Sequence, residues 1–143
     1  MRIRHAADRD FAHAEKGVQW LGAACDRLRL LLQNGLCRVL VAEENRKLIA
    51  VLVLVLNRPN GRHSGIATIR ELRVHPDHDN RGIGSRLVRF AEGIARINGC
   101  WKVEVPPGPA GWGGGRCWPG LGYSEPGAGL HKVFENCLQE SAV

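Results

Sequence analysis

The first third of the chain shows one strand pattern and two helical patterns. Residues 1–6 have the composition of a short strand. Asp8 is suited to cap a helix, and apolar residues recur behind it at helical spacing: Phe11, Ala14, Val18 and Leu21. A second helix is predicted from a further apolar face, formed by Leu28, Leu31 and Leu32. Asn34-Gly35 ends it, since glycine tolerates the left-handed backbone of a helix stop.

Three strand patterns follow. Residues 37–43 and 48–56 are apolar segments joined by a polar turn, and together they predict a hairpin. The second segment is apolar throughout and rich in Val, which is typical of a central strand buried on both faces. Residues 57–65 are a loop by composition, and residues 66–74 form the third strand pattern, which Pro76 ends.

A long amphipathic helix and a strand come next. The helix is predicted to open at Gly84 or Ser85, and its apolar face consists of Leu87, Val88, Ala91, Ile94 and Ala95. A strand is predicted at residues 101–105. The Pro- and Gly-rich segment 106–122 disfavours a helix, and Tyr123 and residues 131–134 are expected to return as short strands. This order predicts a single mixed α/β (α+β) domain over residues 1–143, built around one sheet.

Charge and cysteine content narrow the class of protein without choosing a function. The formal net charge is +6, which suits an anionic partner such as a nucleic acid, an anionic membrane or a polyphosphate cofactor. Five cysteines without a CxxC pair argue against a disulfide framework or a zinc knuckle. The first ten residues lack an apolar signal region, and the 48–56 run is too short to span a bilayer as a helix. We therefore expect a cytoplasmic protein with no membrane partner.

The turn at residues 79–84 carries the clearest chemistry. Gly82-Ile83-Gly84 precedes a helix, whose first N–H groups have no partner within the helix and whose dipole is positive at that end. Glycines let phosphate oxygens approach the backbone closely. Arg81 places a permanent cation beside them, and Arg86 is within reach in the first helical turn. The turn is therefore a predicted anion site.

Known phosphate-binding turns differ from this one in spacing. A P-loop requires GxxxxGK[ST], and the chain has no Lys-Ser or Lys-Thr. A dinucleotide fingerprint requires GxGxxG directly after a strand. Leu87 stands at the third glycine and a polar stretch separates strand from glycines, although Glu104 lies about where a ribose-binding acid would sit. The dinucleotide interpretation therefore stays open as a weak alternative.

Residues 69–105 (IRELRVHPDHDNRGIGSRLVRFAEGIARINGCWKVEV) resemble the core of the GNAT superfamily of acetyl-CoA-dependent N-acetyltransferases. The family loop reads Gln/Arg-x-x-Gly-x-Gly/Ala after a strand ending Val-x-Pro. Val74-His75-Pro76 and Gly82-Ile83-Gly84 match, whereas Asp79 departs from Gln/Arg at the first position. The resemblance implies a mixed, mostly antiparallel sheet of six to seven strands flanked by three to four helices. It also implies a splayed parallel strand pair that forms the CoA cleft.

The resemblance further implies a cofactor site and a reaction. Main-chain groups of the strand before the loop pair with pantetheine, here Leu72, Arg73 and Val74. The pyrophosphate lies on the loop and the first helical turn, here Asp79, Asn80, Arg81, Gly82, Ile83, Gly84 and Ser85. A primary amine of a small molecule or peptide attacks the acetyl-CoA thioester directly in a ternary complex. Neither a homodimer nor the identity of the acceptor is decided by the sequence.

Glu71 is the one acid on the strand that lines the predicted cleft, so it is the candidate general base. In the family a Tyr in "FYxxxGF" protonates the leaving thiolate. The matching position here is Trp118, which has no acid chemistry, while Cys117 or a water is left as a substitute and Tyr123 is expected in the core. An acyl-CoA-binding sensor or degenerate enzyme with little turnover is therefore the alternative function.

Two other groups of residues were considered as functional sites, and neither predicts one. His75 and His78 flank Pro76-Asp77 on a turn without a third ligand, so no metal site is predicted. Trp101, Trp112 and Trp118 lie near arginines but are not interleaved on one strand face, so base stacking is disfavoured. A nucleic-acid-binding module therefore rests on net charge alone and is the weakest of the three hypotheses.

Overall fold

One six-stranded sheet organises the chain, and its strands lie side by side in sequence order. The computed structural model describes residues 1–11, 19–22, 24–58, 64–79, 81–106, 118–124 and 129–134. The strands are β1 (Arg2–His5), β2 (Cys37–Glu44), β3 (Lys47–Asn57), β4 (Gly65–Val74), β5 (Cys100–Val105) and β6 (Leu130–Val133). All neighbours pair antiparallel except β4 and β5, which are parallel. The predicted mixed, mostly antiparallel sheet of six to seven strands is confirmed.

Two α-helices lie within the described residues, α1 (Ala24–Leu31) and α2 (Ile83–Ile97), fewer than the three to four expected. Four short 3-10 helices accompany them, at Asp8–Asp10, Gln19–Leu21, Pro76–His78 and Pro119–Leu121. The helix predicted behind Asp8 falls largely on residues 12–18, outside the described residues. No helix in the described ranges is both long enough and apolar enough to cross a membrane.

The β2–β3 hairpin was predicted correctly, and its turn has a local cause. Asn45 and Arg46 both adopt positive φ, 53° and 63°. Two successive left-handed residues match the twist of a tight hairpin turn. Nearly all of β3 is buried, because α1 covers one face of the sheet and α2 covers the other. The long Val-rich segment is therefore the central strand of a three-layer core.

Tyr123 and the last strand differ slightly from expectation. Tyr123 is not in a strand; the neighbouring Ser124 forms an isolated bridge with His131. Strand β6 begins at Leu130 and ends at Val133 rather than spanning residues 131–134. Phe134 instead packs in the part of the core that lies between the sheet and α2, called here the α2-side core. The Arg96 guanidinium lies 4.5 Å from its ring centroid.

A charged network fastens the N-terminal strand. Arg4 donates to both carboxylate oxygens of Asp10 at 2.8 Å and to Glu43 at 3.1 Å. Asp10 also accepts the Ala7 N–H at 2.7 Å. Burial acts to raise the pKa of Asp10, but the hydrogen bonds from Arg4 and Ala7 outweigh it, and the pKa falls below its ordinary value. The hydrogen bond from Arg4 likewise lowers the pKa of Glu43.

Replacing Arg4 with Gln is expected to lower the free energy of unfolding by about 1.5–3 kcal/mol at neutral pH, because two carboxylates lose charge-assisted partners. Carboxylates with depressed pKa values contribute stability above their unfolded-state values of about 4, and this contribution disappears as the pH falls through the folded-state pKa. The difference in free energy of unfolding between the native protein and the Arg4→Gln variant should therefore become smaller at acidic pH. Urea unfolding at neutral and acidic pH measures it.

Arg2→Gln is the matched control for this network. The Arg2 side chain is 74% exposed and lies 3.9 Å from Glu43, so its loss should change stability by less than about 0.5 kcal/mol. Equal losses in the two variants at neutral pH would contradict the role given to Arg4.

Candidate functional site

A β-bulge in β4 determines which side chains reach each face of the sheet. Val53 of β3 lies opposite Glu71, whereas the next residue, Leu54, lies opposite Ile69. Arg70 is therefore an extra residue with no counterpart on β3. A one-residue insertion reverses the facing of every side chain beyond it and bends the strand.

The consequence of the bulge is visible in the two cores. Ile69 and Leu72 both pack in the α2-side core, although residues three apart in a regular strand face opposite ways. Glu71 lies on the α1 side, beside Val53 and Arg27. In a regular strand Glu71 would share the face of Ile69 and enter the core. The adjacent charged residues Arg70-Glu71 interrupt the alternation of the sequence, and this interruption was the signal for a bulge.

Strands β4 and β5 pair over only part of their length. Their parallel register runs from Gly65 opposite Cys100 to Thr68 opposite Glu104. Beyond Thr68, no strand of the described residues pairs with this edge of β4, which continues to Val74. Backbone N–H and C=O groups on an unpaired edge are available to another extended chain. Residues Leu72, Arg73 and Val74, predicted to hold pantetheine, lie on this part of the strand.

Helix α2 begins next to that edge. Its N-cap is Gly82, with φ of 76° and no side-chain capping bond, so the helix opens at Ile83 rather than at the predicted Gly84 or Ser85. The left-handed conformation at Gly82 is the reason, because the chain turns into the helix there. A Cβ added at Gly84 would lie 3.7 Å from Leu72 and 3.8 Å from Val74. The first turn of α2 therefore faces the end of β4 at short range.

Arg81 is engaged by two neighbours. Its Nη1 lies 2.6 Å from Nδ1 of His78, and its Nη2 lies 3.3 Å from Oε2 of Glu44. The guanidinium is thus held beside the start of α2, half exposed. Asp79 is exposed, and its N–H bonds the Pro76 carbonyl. Asn80, the remaining predicted loop residue, lies outside the described residues, and Ser85 is half-buried in the first turn of the helix.

Trp20 and His75 were not assigned to the site from the sequence. The Trp20 ring meets the His75 ring edge-on at 5.5 Å, and the His75 and His78 rings meet at 5.6 Å. His75 Nδ1 accepts the Asp77 N–H at 3.0 Å. These contacts brace the turn between β4 and α2. No group of three metal-ligating side chains converges anywhere in the described ranges.

Glu71 is held by two arginines. Its Oε1 accepts a hydrogen bond from Arg27 of α1 at 2.7 Å and forms an ion pair with Nε of Arg73 at 2.6 Å. Within the described part of the chain its second oxygen, Oε2, has no hydrogen-bond partner. The side chain is only 14% exposed. One carboxylate oxygen is therefore fixed and the other is free to accept a proton or a hydrogen bond.

A cavity of about 300 Å³ lies beside Glu71 on the α1 side of the sheet. Its polar wall includes Arg27, Asn34, Arg70 and Glu71, and its apolar wall includes Leu31 and Val53. The bulge explains why Arg70 and Glu71, adjacent in sequence, line the same cavity. This cavity was not predicted from the sequence, because it depends on how α1 and β4 pack in the folded chain.

The family's acid position is filled by a buried indole. Trp118 is 2% exposed and meets the Tyr123 ring edge-on at 5.0 Å. The Tyr123 hydroxyl donates to Glu92 of α2 at 2.7 Å, and Lys132 donates to the same carboxylate at 3.1 Å. Tyr123 is thus a core residue, as expected. Cys117, the suggested substitute, and Trp112 lie outside the described residues.

Comparison with known protein families shows which class of protein has this sequence and fold. Residues 3–108 match the model of the Acetyltransferase (GNAT) family. This span is more than half of the chain, so the chain belongs to that family, and the resemblance seen in residues 69–105 is confirmed. No curated protein matches the chain.

Solved structures show the same fold. A ribosomal-protein-alanine N-acetyltransferase from Brucella melitensis biovar Abortus 2308 is 16% identical, with a TM-score of 0.71 over 90% of this chain and 96% of that one. An aminoglycoside antibiotic 6'-N-acetyltransferase from Acinetobacter haemolyticus is 20% identical, with a TM-score of 0.65 over 94% and 95%. An acetyltransferase from Vibrio fischeri is 19% identical, with a TM-score of 0.60 over 73% and 94%.

Gly82→Ala should lower the free energy of unfolding by about 1 kcal/mol, because a Cβ strains the left-handed backbone at the N-cap. Gly93→Ala is the matched control, since Gly93 lies within α2 with no atom within 4 Å of an added Cβ. The free energy of unfolding of the Gly93→Ala variant should rise by about 0.5–1 kcal/mol, because alanine has the higher helix propensity. Chemical unfolding measures both; equal shifts would contradict the special conformation of Gly82.

Proposed function

We propose that this protein transfers an acetyl group from acetyl-CoA to a primary amine of a small molecule or peptide. One observation carries the proposal: the unpaired edge of β4 beyond Thr68 ends beside a helix N-terminus without a side-chain cap. An unpaired strand edge suits an extended amide-bearing arm, and the helix start suits a pyrophosphate. An acyl-CoA carries both groups in that order. In this proposal residues 1–143 form a single cytoplasmic domain.

In this proposal the main chain of Leu72, Arg73 and Val74 pairs with the pantetheine arm. The amides from Asn80 to Ser85 receive the pyrophosphate, and Gly82 and Gly84 leave its oxygens room to approach. Arg81 adds a cation that Glu44 already holds in place at 3.3 Å. Asp79, at the position where the family has Gln or Arg, is exposed.

The reaction is direct acyl transfer in a ternary complex. The amine nitrogen attacks the thioester carbonyl carbon, a C–N bond forms, and the C–S bond breaks to release the CoA thiolate. Glu71 takes the amine proton through its free Oε2, directly or through water, while Arg27 and Arg73 hold the other oxygen. The protein contributes mainly proximity, by holding the amine near Glu71 within reach of the thioester at the unpaired edge of β4.

A second candidate function is supported by the acid position. Trp118 is buried, and the Tyr123 hydroxyl is bonded to Glu92 in the α2-side core. A protein that binds acyl-CoA as a sensor, with little or no turnover, has no use for a general acid. Calorimetry with acetyl-CoA tests what the two functions share, and thiol release across a panel of amines separates them.

Gly84→Leu should raise the dissociation constant for acetyl-CoA roughly tenfold or more, because the added side chain enters the gap between α2 and the end of β4. Gly93→Leu adds the same side chain to the exposed part of α2 and is the control. Isothermal calorimetry gives the constants and thermal unfolding confirms that both variants fold. Unchanged affinity in a folded Gly84→Leu variant would place the cofactor elsewhere.

Glu71→Gln should lower kcat roughly a hundredfold while the dissociation constant for acetyl-CoA stays the same, since a general base contributes about that much. Asp26→Asn, an acid-to-amide change at an exposed position on α1, is the control. Steady-state thiol release at saturating amine measures kcat. A Glu71→Gln variant with native kcat would show that this carboxylate serves only to hold Arg27 and Arg73.

A further inference from the structure

The α1-side cavity carries a surplus of positive charge. Arg27 and Arg70 line it together with the carboxylate of Glu71, and Arg73, outside the lining, forms an ion pair with that carboxylate. Arg27 and Arg73 share one oxygen of that carboxylate, at 2.7 and 2.6 Å. In the part of the chain that the structure describes, Arg70 has no ion-pair or hydrogen-bond partner. Among the described residues at this cavity, the arginines therefore outnumber the one carboxylate.

The bulge in β4 is the reason that Arg70 contributes its positive charge to this cavity. In a regular strand Arg70 and Glu71 would point to opposite faces of the sheet. The extra residue instead brings both to the α1 side, at the wall of one cavity. An unpaired guanidinium at the wall of a cavity that Arg27 also lines favours a bound anion.

The remaining lining limits the size and polarity of the ligand. A volume of about 300 Å³ is at the lower end of small-molecule sites, so the ligand is small. Leu31 and Val53 add apolar side chains to the lining, and Asn34 adds an amide. A short molecule with an anionic end and an apolar portion satisfies both walls.

We propose that this cavity binds the acceptor, and that the acceptor is a small amino carboxylate whose carboxylate pairs with Arg70. The inference rests on the proposed function for the identity of the reacting amine, which lies toward Glu71 and β4. It argues against polycationic acceptors, because a second or third ammonium group would meet Arg27 and Arg70 at the cavity wall. The charge of this chain's own cavity decides this, since the solved relatives share only its fold.

The test compares matched amines in acetyl-CoA-dependent thiol release. Leucine and 4-aminobutyrate represent amino carboxylates with two spacings between the charged groups; leucinamide and cadaverine lack the carboxylate. The better amino carboxylate should have kcat/KM roughly tenfold or more above the amide and the diamine, as expected for a charge-assisted pair. Arg70→Gln should remove this preference by raising KM for the carboxylate, and Arg2→Gln, on the distant strand β1, should keep it.

Equal or better use of leucinamide or cadaverine by the native protein would overturn the inference and leave the proposed function standing. Absence of acetyl-CoA binding in calorimetry would instead defeat the proposed function. The cavity is then tested by itself, with ligand-observed NMR of leucine and leucinamide. Selective binding of leucine that Arg70→Gln abolishes supports an anion site, and equal binding of the two ligands overturns it.

Discussion

Strand β4 has to satisfy two different surroundings, and the rest of the site depends on how it does so. Ile69 and Leu72 both require burial in the α2-side core, whereas Arg70 and Glu71 between them carry charges that are costly to bury. A regular strand with its period of two cannot meet both demands. The extra residue at Arg70 meets them: it restores Leu72 to the core, turns Glu71 to the α1 side and bends the strand.

The bend and the partial pairing with β5 act together. Pairing stops at Thr68, so the last residues of β4 keep hydrogen-bonding groups on one edge. Helix α2 packs on the sheet through its buried face and starts at Ile83, after its N-cap Gly82, which brings the amides of its first turn to the end of that edge. The strand edge and the helix start are thus two products of one strand–helix–strand crossover, with the carboxylate of Glu71 on the opposite face.

The two faces of the sheet differ in how their charged side chains are balanced. On the α2 side, buried Glu92 forms an ion pair with Lys132 and accepts a hydrogen bond from the Tyr123 hydroxyl, so its charge is compensated within the core. On the α1 side, arginines outnumber the single carboxylate around the cavity. Family membership defines an acetyltransferase and its fold, but the charges that select an acceptor vary independently of the fold. They have to be taken from this chain's own residues.

Sequence alone determined the elements whose periodicity is strong and local. Three such features depend only on neighbours within a few residues: the Val-rich segment at 48–56, the amphipathic face of Leu87 and Val88, and the glycines at 82 and 84. The family could be named from them. Tertiary structure decided the bulge at Arg70, the end of pairing at Thr68, the grip of Arg27 on Glu71 and the α1-side cavity. These arise between segments far apart in sequence, where register and packing set the facing of each side chain. The burial of Trp118 beside Tyr123 likewise follows from packing, whereas its lack of acid chemistry follows from its identity.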